Sequence, residues 1–166
     1  MQDLFDLIRA DSCDDRQDRE KLMAFGRFVG SWAMESIWYP QEDGEERRTT
    51  GQWHFGWILG GNGIQDVLFA DEYPPEKYGV TLRSYDRRED LWRVSWMQPG
   101  NGEFANLIGR ATAEGIEQQV VGLTGKREIW RFSEITRDSF EWTDEVSKDD
   151  GRTWSIEQRM RGKRIR

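Results

Sequence analysis

The sequence predicts a mainly β protein: a single antiparallel up-and-down β-barrel of about ten strands, with a short N-terminal helical segment plugging or capping it. Three observations carry this. About ten strand-like runs separated by turn signals follow Phe28, and their connections are too short for crossover helices. Apolar residues recur at every second position where the pattern is clearest, as in Trp53, Phe55, Trp57 and Leu59. Nine Trp, eight Phe and four Tyr in 166 residues call for an aromatic interior. The turns leave no break for a second core, so residues 1–28 are read as part of the domain built by 29–166.

In the N-terminal segment Leu4, Leu7 and Ile8, then Leu22, Met23 and Phe25, recur three and four apart with charges between them. This predicts two short amphipathic helices, too small to bury a core of their own, whose apolar stripes rest on the barrel as a lid or plug. A mobile portal is the functional alternative.

The first strand is expected over 31–39, stopped by Pro40 and the polar loop from Gln41 to Glu46. A second over 49–59 turns through Gly60-Gly61-Asn62-Gly63, strong hairpin chemistry, into a third over 64–69. Runs over 79–86 and 91–98 flank the charged turn Arg87-Arg88-Glu89-Asp90, and Pro99-Gly100-Asn101-Gly102 introduces 104–111. Four more, over 116–123, 126–132, 139–146 and 153–161, complete the set, leaving Arg161 to Arg166 as a basic tail suited to pairing with the acidic N-terminal segment.

The totals exclude several classes. A net charge of −7 opposes the basic footprint that nucleic-acid binding needs. No leader-like start and no run of about 18 apolar residues is seen, which predicts a cytoplasmic protein without membrane spans. Cys13 is the single cysteine, set among Asp11, Asp14 and Asp15, where a reactive thiolate is disfavoured. His54 is the single histidine, so no histidine cluster can bind zinc, and neither a metal nor another cofactor is expected.

Gly30-Ser31-Trp32, at the entrance to the first strand, resembles the Gly-x-Trp signature of the calycins, the superfamily of lipocalins and fatty-acid-binding proteins. Together with the strand count and the helical plug, the chain resembles a Trp-rich cytoplasmic bacterial branch of it. The resemblance implies a barrel with an internal pocket for an apolar small molecule, closed by Trp32 packed on an arginine from the last strand, Arg159 or Arg161. Ser147-Lys148-Asp149-Asp150-Gly151-Arg152-Thr153-Trp154 resembles the Asp-box turn of sialidase propellers. This chain has one copy and is too short for a propeller, so the match is read as a structural hairpin with Trp154 packed beneath it.

Registers extrapolated from the turns place the chemistry. If Leu59 pairs with Ile64, Asp66 lies opposite Trp57 on the inner face. If Asp86 pairs with Leu91, then Thr81, Arg83 and Tyr85 share the inner face with Trp92, Val94 and Trp96, with Gly109 beside Trp92 and Ala105 beside Trp96. Arg83 would then meet Asp66 or hold an anionic ligand. Arg131 and Trp142 are placed on the same wall. The expected ligand-binding set is therefore Trp53, Trp57, Asp66, Arg83, Tyr85, Trp96, Arg131 and Trp142. It suits a small, largely apolar molecule, such as an aromatic or aliphatic carboxylate.

Three functions fit this reading. The first is binding of such a molecule. The second is a cofactor-independent isomerase, cyclase or hydrolase moving protons with Asp66, Tyr85 or His54. His54 has the drawback of pointing away from the Trp-rich face. The third is a barrel filled by its own aromatics that acts through an outer face, for example as a homodimer. The sequence does not separate binding from catalysis.

Overall fold

Apolar alternation becomes strand throughout the computed structural model, which describes residues 3–14, 18–39 and 44–165. The strands are β1 (Arg9–Ala10), β2 (Gly30–Trp38), β3 (Arg47–Ile58), β4 (Gly63–Ala70), β5 (Gly79–Asp86), β6 (Leu91–Gln98), β7 (Glu103–Ala111), β8 (Ile116–Val121), β9 (Arg127–Ser133), β10 (Ser139–Ser147) and β11 (Ser155–Arg164). From β2 onward each pairs antiparallel with its chain neighbour, and β11 returns to pair with β2. The result is a closed ten-stranded up-and-down barrel without a free edge. β1 is a two-residue addition that pairs with the end of β3. The expected stop at Pro40 and the loop 41–43 lie outside the described residues.

The β5–β6 register follows the turn, with Asp86 opposite Leu91, Arg83 opposite Val94 and Thr81 opposite Trp96. Ala105 faces Trp96, and Gly109 faces Trp92. The β3–β4 register differs from expectation: Trp57, not Leu59, pairs with Ile64. Leu59 and Gly60 take left-handed backbone (φ 53° and 64°) in a short 3-10 turn, which lengthens the loop. A slip of two residues keeps the same face inward, so Asp66 still points inside, opposite Phe55.

One end of the barrel is filled by α2 (Arg19–Gly26) and the residues after it. Leu22, Phe25 and Phe28 have no exposed surface. The Phe25 ring lies 5.0 Å from Trp92 and 5.9 Å from Phe132, while Phe28 lies 4.7 Å from Phe132 and 5.1 Å from Phe140. The other predicted helix does not join this plug. α1 (Leu4–Ile8) leaves Leu4, Phe5 and Leu7 about two-thirds exposed, because β1 directs the chain along the end of β3 instead of into the barrel.

The Gly30-Ser31-Trp32 corner closes the same end. Trp32 is buried and donates through Nε1 to the Phe28 carbonyl at 2.7 Å. The cation over its ring is Arg164, 4.0 Å from the centroid, instead of Arg159 or Arg161, which reach outward to Glu141. β11 continues to Arg164, which pairs with Trp32, so most of the expected basic tail is strand. Arg164 also donates to the carbonyls of Val29 (2.9 Å), Arg27 (2.8 Å) and Arg137 (2.8 Å). A Cβ on Gly30 would stand 2.9 Å from its Nη1, and Gly30 has φ of 123°.

The Asp-box turn is built as its residues suggest. Asp149 accepts from the Thr153 hydroxyl (2.6 Å) and from the amides of Thr153 (2.8 Å) and Arg152 (3.1 Å), and Ser147 Oγ accepts from the Gly151 amide. Led by the Thr153 hydroxyl, these bonds hold the Asp149 carboxyl at about 2. Trp154 lies on the surface instead of beneath the hairpin, donating to the Gly151 carbonyl.

Arg164→Ala removes three charge-assisted bonds and the stacking on Trp32, and is expected to cost about 2–3 kcal/mol in urea unfolding. Arg161→Ala, which loses only an exposed ion pair, should change stability by less than about 1 kcal/mol in the same measurement.

Candidate functional site

The strands supply enough side chains to fill the plugged end with the help of α2, but not the other end. A cavity of about 300 Å³ lies there. Its apolar wall is Met34, Trp53, Leu68, Trp96, Trp130, Trp142 and Met160. The indoles follow one another edge to face: Trp96 to Trp130 at 5.9 Å and 88°, Trp130 to Trp142 at 5.7 Å and 63°, Trp142 to Trp53 at 6.3 Å and 80°. This is the arrangement that the quadrupoles of aromatic rings favour. Trp96 takes its place because Gly79 is a glycine: a Cβ there would stand 1.7 Å from the indole.

The floor is a buried polar cluster. Asp66 and Arg83 are ion-paired and almost fully enclosed, at 1% and 2% exposure. Trp53 Nε1 donates to Asp66 Oδ1 at 2.8 Å, and Arg83 Nε donates to Gln118 Oε1 at 3.4 Å. The guanidinium also lies 4.9 Å from the Phe25 ring and 5.7 Å from Phe55. Burial lowers its pKa to about 9, which leaves it protonated at neutral pH.

The upper wall is acidic. Lys126 pairs with Glu128 at 2.8 Å, and Trp130 Nε1 donates to the same carboxylate at 3.0 Å. Across the ladder, Asp144 pairs with Gln158, but Glu145 pairs with Ile156, so Glu157 is an extra residue in β11. This bulge brings both Glu157 and Gln158 to the cavity wall. Gln158 donates to Ser36 at 2.8 Å. Asp144 Oδ1 is enclosed and accepts no hydrogen bond. Burial first, and then repulsion from Glu128 and Glu157, pushes the Asp144 carboxyl up to about 8, against the opposing pull of Lys126 and of a hydrogen bond from the Trp130 indole.

The structure distributes the expected site residues unevenly. Trp53, Arg83, Trp96 and Trp142 reach the cavity, while Asp66 lies in the floor. Trp57 belongs to the plugged end, where its indole fills the space left by Gly26. Tyr85 is there too, with its hydroxyl on Asp90 at 2.5 Å; burial and that contact raise its pKa to about 12. Arg131 is outside: Trp130 and Phe132 on either side of it face inward, and it pairs with Glu117 and Glu145. His54 is also outside, bonded through Nδ1 to Ser31 Oγ at 2.8 Å and stacked beside Phe69. The proposed proton-transfer set of Asp66, Tyr85 and His54 is therefore dispersed over the floor, the plugged end and the outer face. Trp130 and Asp144 were missed, although alternation from Phe132 and from Trp142 points to both.

Fold and site together define a closed ten-stranded antiparallel barrel, plugged at one end and with an aromatic cavity at the other. Solved structures share the fold, among them the following two. Rv2717c from M. tuberculosis aligns with a TM-score of 0.62 at 15% identity, over 90% of this chain and 100% of its own. The S-type phycobiliprotein lyase CpeS from Guillardia theta aligns with a TM-score of 0.56 at 11% identity, over 91% and 94%. No family model and no curated protein sequence matches the chain. Among the described residues no helix is long and apolar enough to cross a membrane.

Two stability predictions follow from the buried charges. Asp66→Ala leaves Arg83 enclosed and unpaired and should cost about 3–5 kcal/mol in urea unfolding, whereas the double variant Asp66→Leu/Arg83→Met should recover most of that loss. Asp144 has a folded pKa above its unfolded value, so the folded state binds the extra proton, and stability falls as pH rises from about 4 toward 8. Asp144→Asn removes that slope: its melting temperature relative to wild type should rise steadily from pH 5 to pH 8.

Proposed function

We propose that this protein binds a small, largely apolar organic molecule in its barrel cavity. The observation that carries the reading is the half-open cavity of about 300 Å³ lined by five tryptophans, Trp38, Trp53, Trp96, Trp130 and Trp142, with polar groups at its floor and rim. A barrel packed solid would leave no such space. Membership of the calycins is part of the same reading, supported by the Gly30-Ser31-Trp32 corner stacked under an arginine of the last strand. A reducing, cytoplasmic setting suits a chain whose single cysteine is buried against Arg19.

A catalytic reading is favoured by one observation, the Asp144 carboxyl poised near neutral pH in the cavity wall. In that alternative Asp144 moves the proton, in place of the dispersed Asp66, Tyr85 and His54. The phycobiliprotein lyase with this fold is consistent with an enzyme on such a barrel.

Titration of the purified protein with 2-phenylethanol and 2-naphthylmethanol, followed by tryptophan emission, tests the binding reading. A saturable one-site change is expected, weakened about tenfold, or about 1.4 kcal/mol, in Trp96→Leu and Trp142→Leu and unchanged in Trp154→Phe. No saturation, or equal weakening by Trp154→Phe, overturns it.

A further inference from the structure

We infer that the ligand of this cavity is an organic cation, a protonated amine whose charged end meets Asp144 and Glu157 and whose apolar body lies against Trp96, Trp130 and Trp142. The inference rests on the reading of the cavity as a binding site and names the chemical class it takes.

The charges of the wall decide the sign. Four carboxyl groups line the cavity, from Glu103, Glu128, Glu157 and the proton-bearing Asp144, against two cations, Arg83 and Lys126. Both cations are engaged: Arg83 by Asp66 in the floor and Lys126 by Glu128 at the rim. An anionic ligand would have to break the buried Asp66–Arg83 pair, leaving a carboxylate enclosed and unpaired, and would do so while facing the acidic wall. A carboxylate-bearing ligand, the expectation from the sequence, is thereby disfavoured. An ammonium encounters the opposite conditions. Asp144 Oδ1 is an enclosed acceptor without a donor, and an unsatisfied buried acceptor is costly until a donor reaches it. The indole faces add the attraction of ring quadrupoles for a cation, the interaction by which aromatic cages hold ammonium groups. A metal ion is the other cation to consider, but among the described residues no three His, Cys, Asp or Glu side chains converge closely enough to hold one.

Proton linkage gives the inference a signature. In the free protein Asp144 carries a proton below about pH 8, raised by burial and by Glu128 and Glu157, with Lys126 and a hydrogen bond from the Trp130 indole opposing. These neighbours come from β9, which carries Glu128 and follows Lys126 directly, and from β11, which carries Glu157. An ammonium at Asp144 stabilises the carboxylate, so binding expels that proton and tightens as pH rises toward 8.

The test is calorimetry of one matched series, 2-phenylethylamine, 2-phenylethanol and 3-phenylpropanoate, at pH 6 and pH 8 in buffers of differing protonation enthalpy. The amine is expected to bind about tenfold tighter than the alcohol, the carboxylate weakest, with a proton released on amine binding at pH 6. Asp144→Asn and Glu157→Gln should each cut the preference for the amine over the alcohol about tenfold, and Asp144→Asn should abolish the proton release. A carboxylate that binds as tightly as the amine, or variants that keep the amine preference, overturn the cation assignment and leave the cavity reading standing. Failure of all three compounds to saturate overturns both.

Discussion

The structure depends on how a ten-stranded barrel is filled. An eight-stranded barrel can fill its bore with side chains from its own strands; with ten the diameter is larger and something else must enter. Here that is the Phe25–Phe28 segment, whose rings meet Trp92, Phe132, Phe140 and Phe55 and make one half of the barrel solid. The segment reaches only as far as Trp53, which touches Phe55 and Phe132 on the plugged side and Trp142 on the other. The cavity begins where the plug ends.

That boundary is where the Asp66–Arg83 pair sits. Two charges removed from water at this depth are a weak source of stability; they are held by the pair itself, the Trp53 indole on Asp66, the Gln118 amide oxygen on Arg83, and aromatic faces around the guanidinium, while the Gln118 amide nitrogen is enclosed without an acceptor. The pair also determines the character of the cavity above it. By neutralising Arg83 it withdraws the positive charge at the cavity floor, so the net charge that a ligand meets is set by the rim.

What the sequence made legible was what two-residue periodicity and short turns transmit. The Arg87–Asp90 turn transmitted the β5–β6 register, and with it the inward placement of Arg83 and Trp96. Asp66 survived a wrong register because the error was two residues, which preserves the face. Arg131 went wrong because its placement was carried across several hairpins, when its own neighbours, Trp130 and Phe132, give the face directly. Arg164 was hidden because nothing local marks where a final strand stops. The exposure of Leu4, Phe5 and Leu7 was equally hidden, since helical spacing says which residues share a stripe and not whether the stripe finds a surface. The bulge at Glu157 defeats periodicity altogether, because one extra residue changes the parity of the strand on either side of it.

Asp144 and Asp66 show how two inward carboxylates can mean different things. Asp66 is tied by Trp53 and Arg83, and its position is explained by the fold. Asp144 stands in the wall with one oxygen enclosed and unbonded, near two other carboxylates, at a protonation equilibrium that works against stability as pH rises. Nothing in the packing of β10 requires a carboxylate there; an amide of the same shape would fill the same space without repelling Glu128 and Glu157. A group that the fold tolerates at a cost is better explained by the cavity it faces, and what it offers that cavity is an acceptor able to become an anion when a positive charge arrives. The aromatic wall and the acidic rim therefore belong to one site, with the apolar surface holding the body of the ligand and Asp144 responding to its charge.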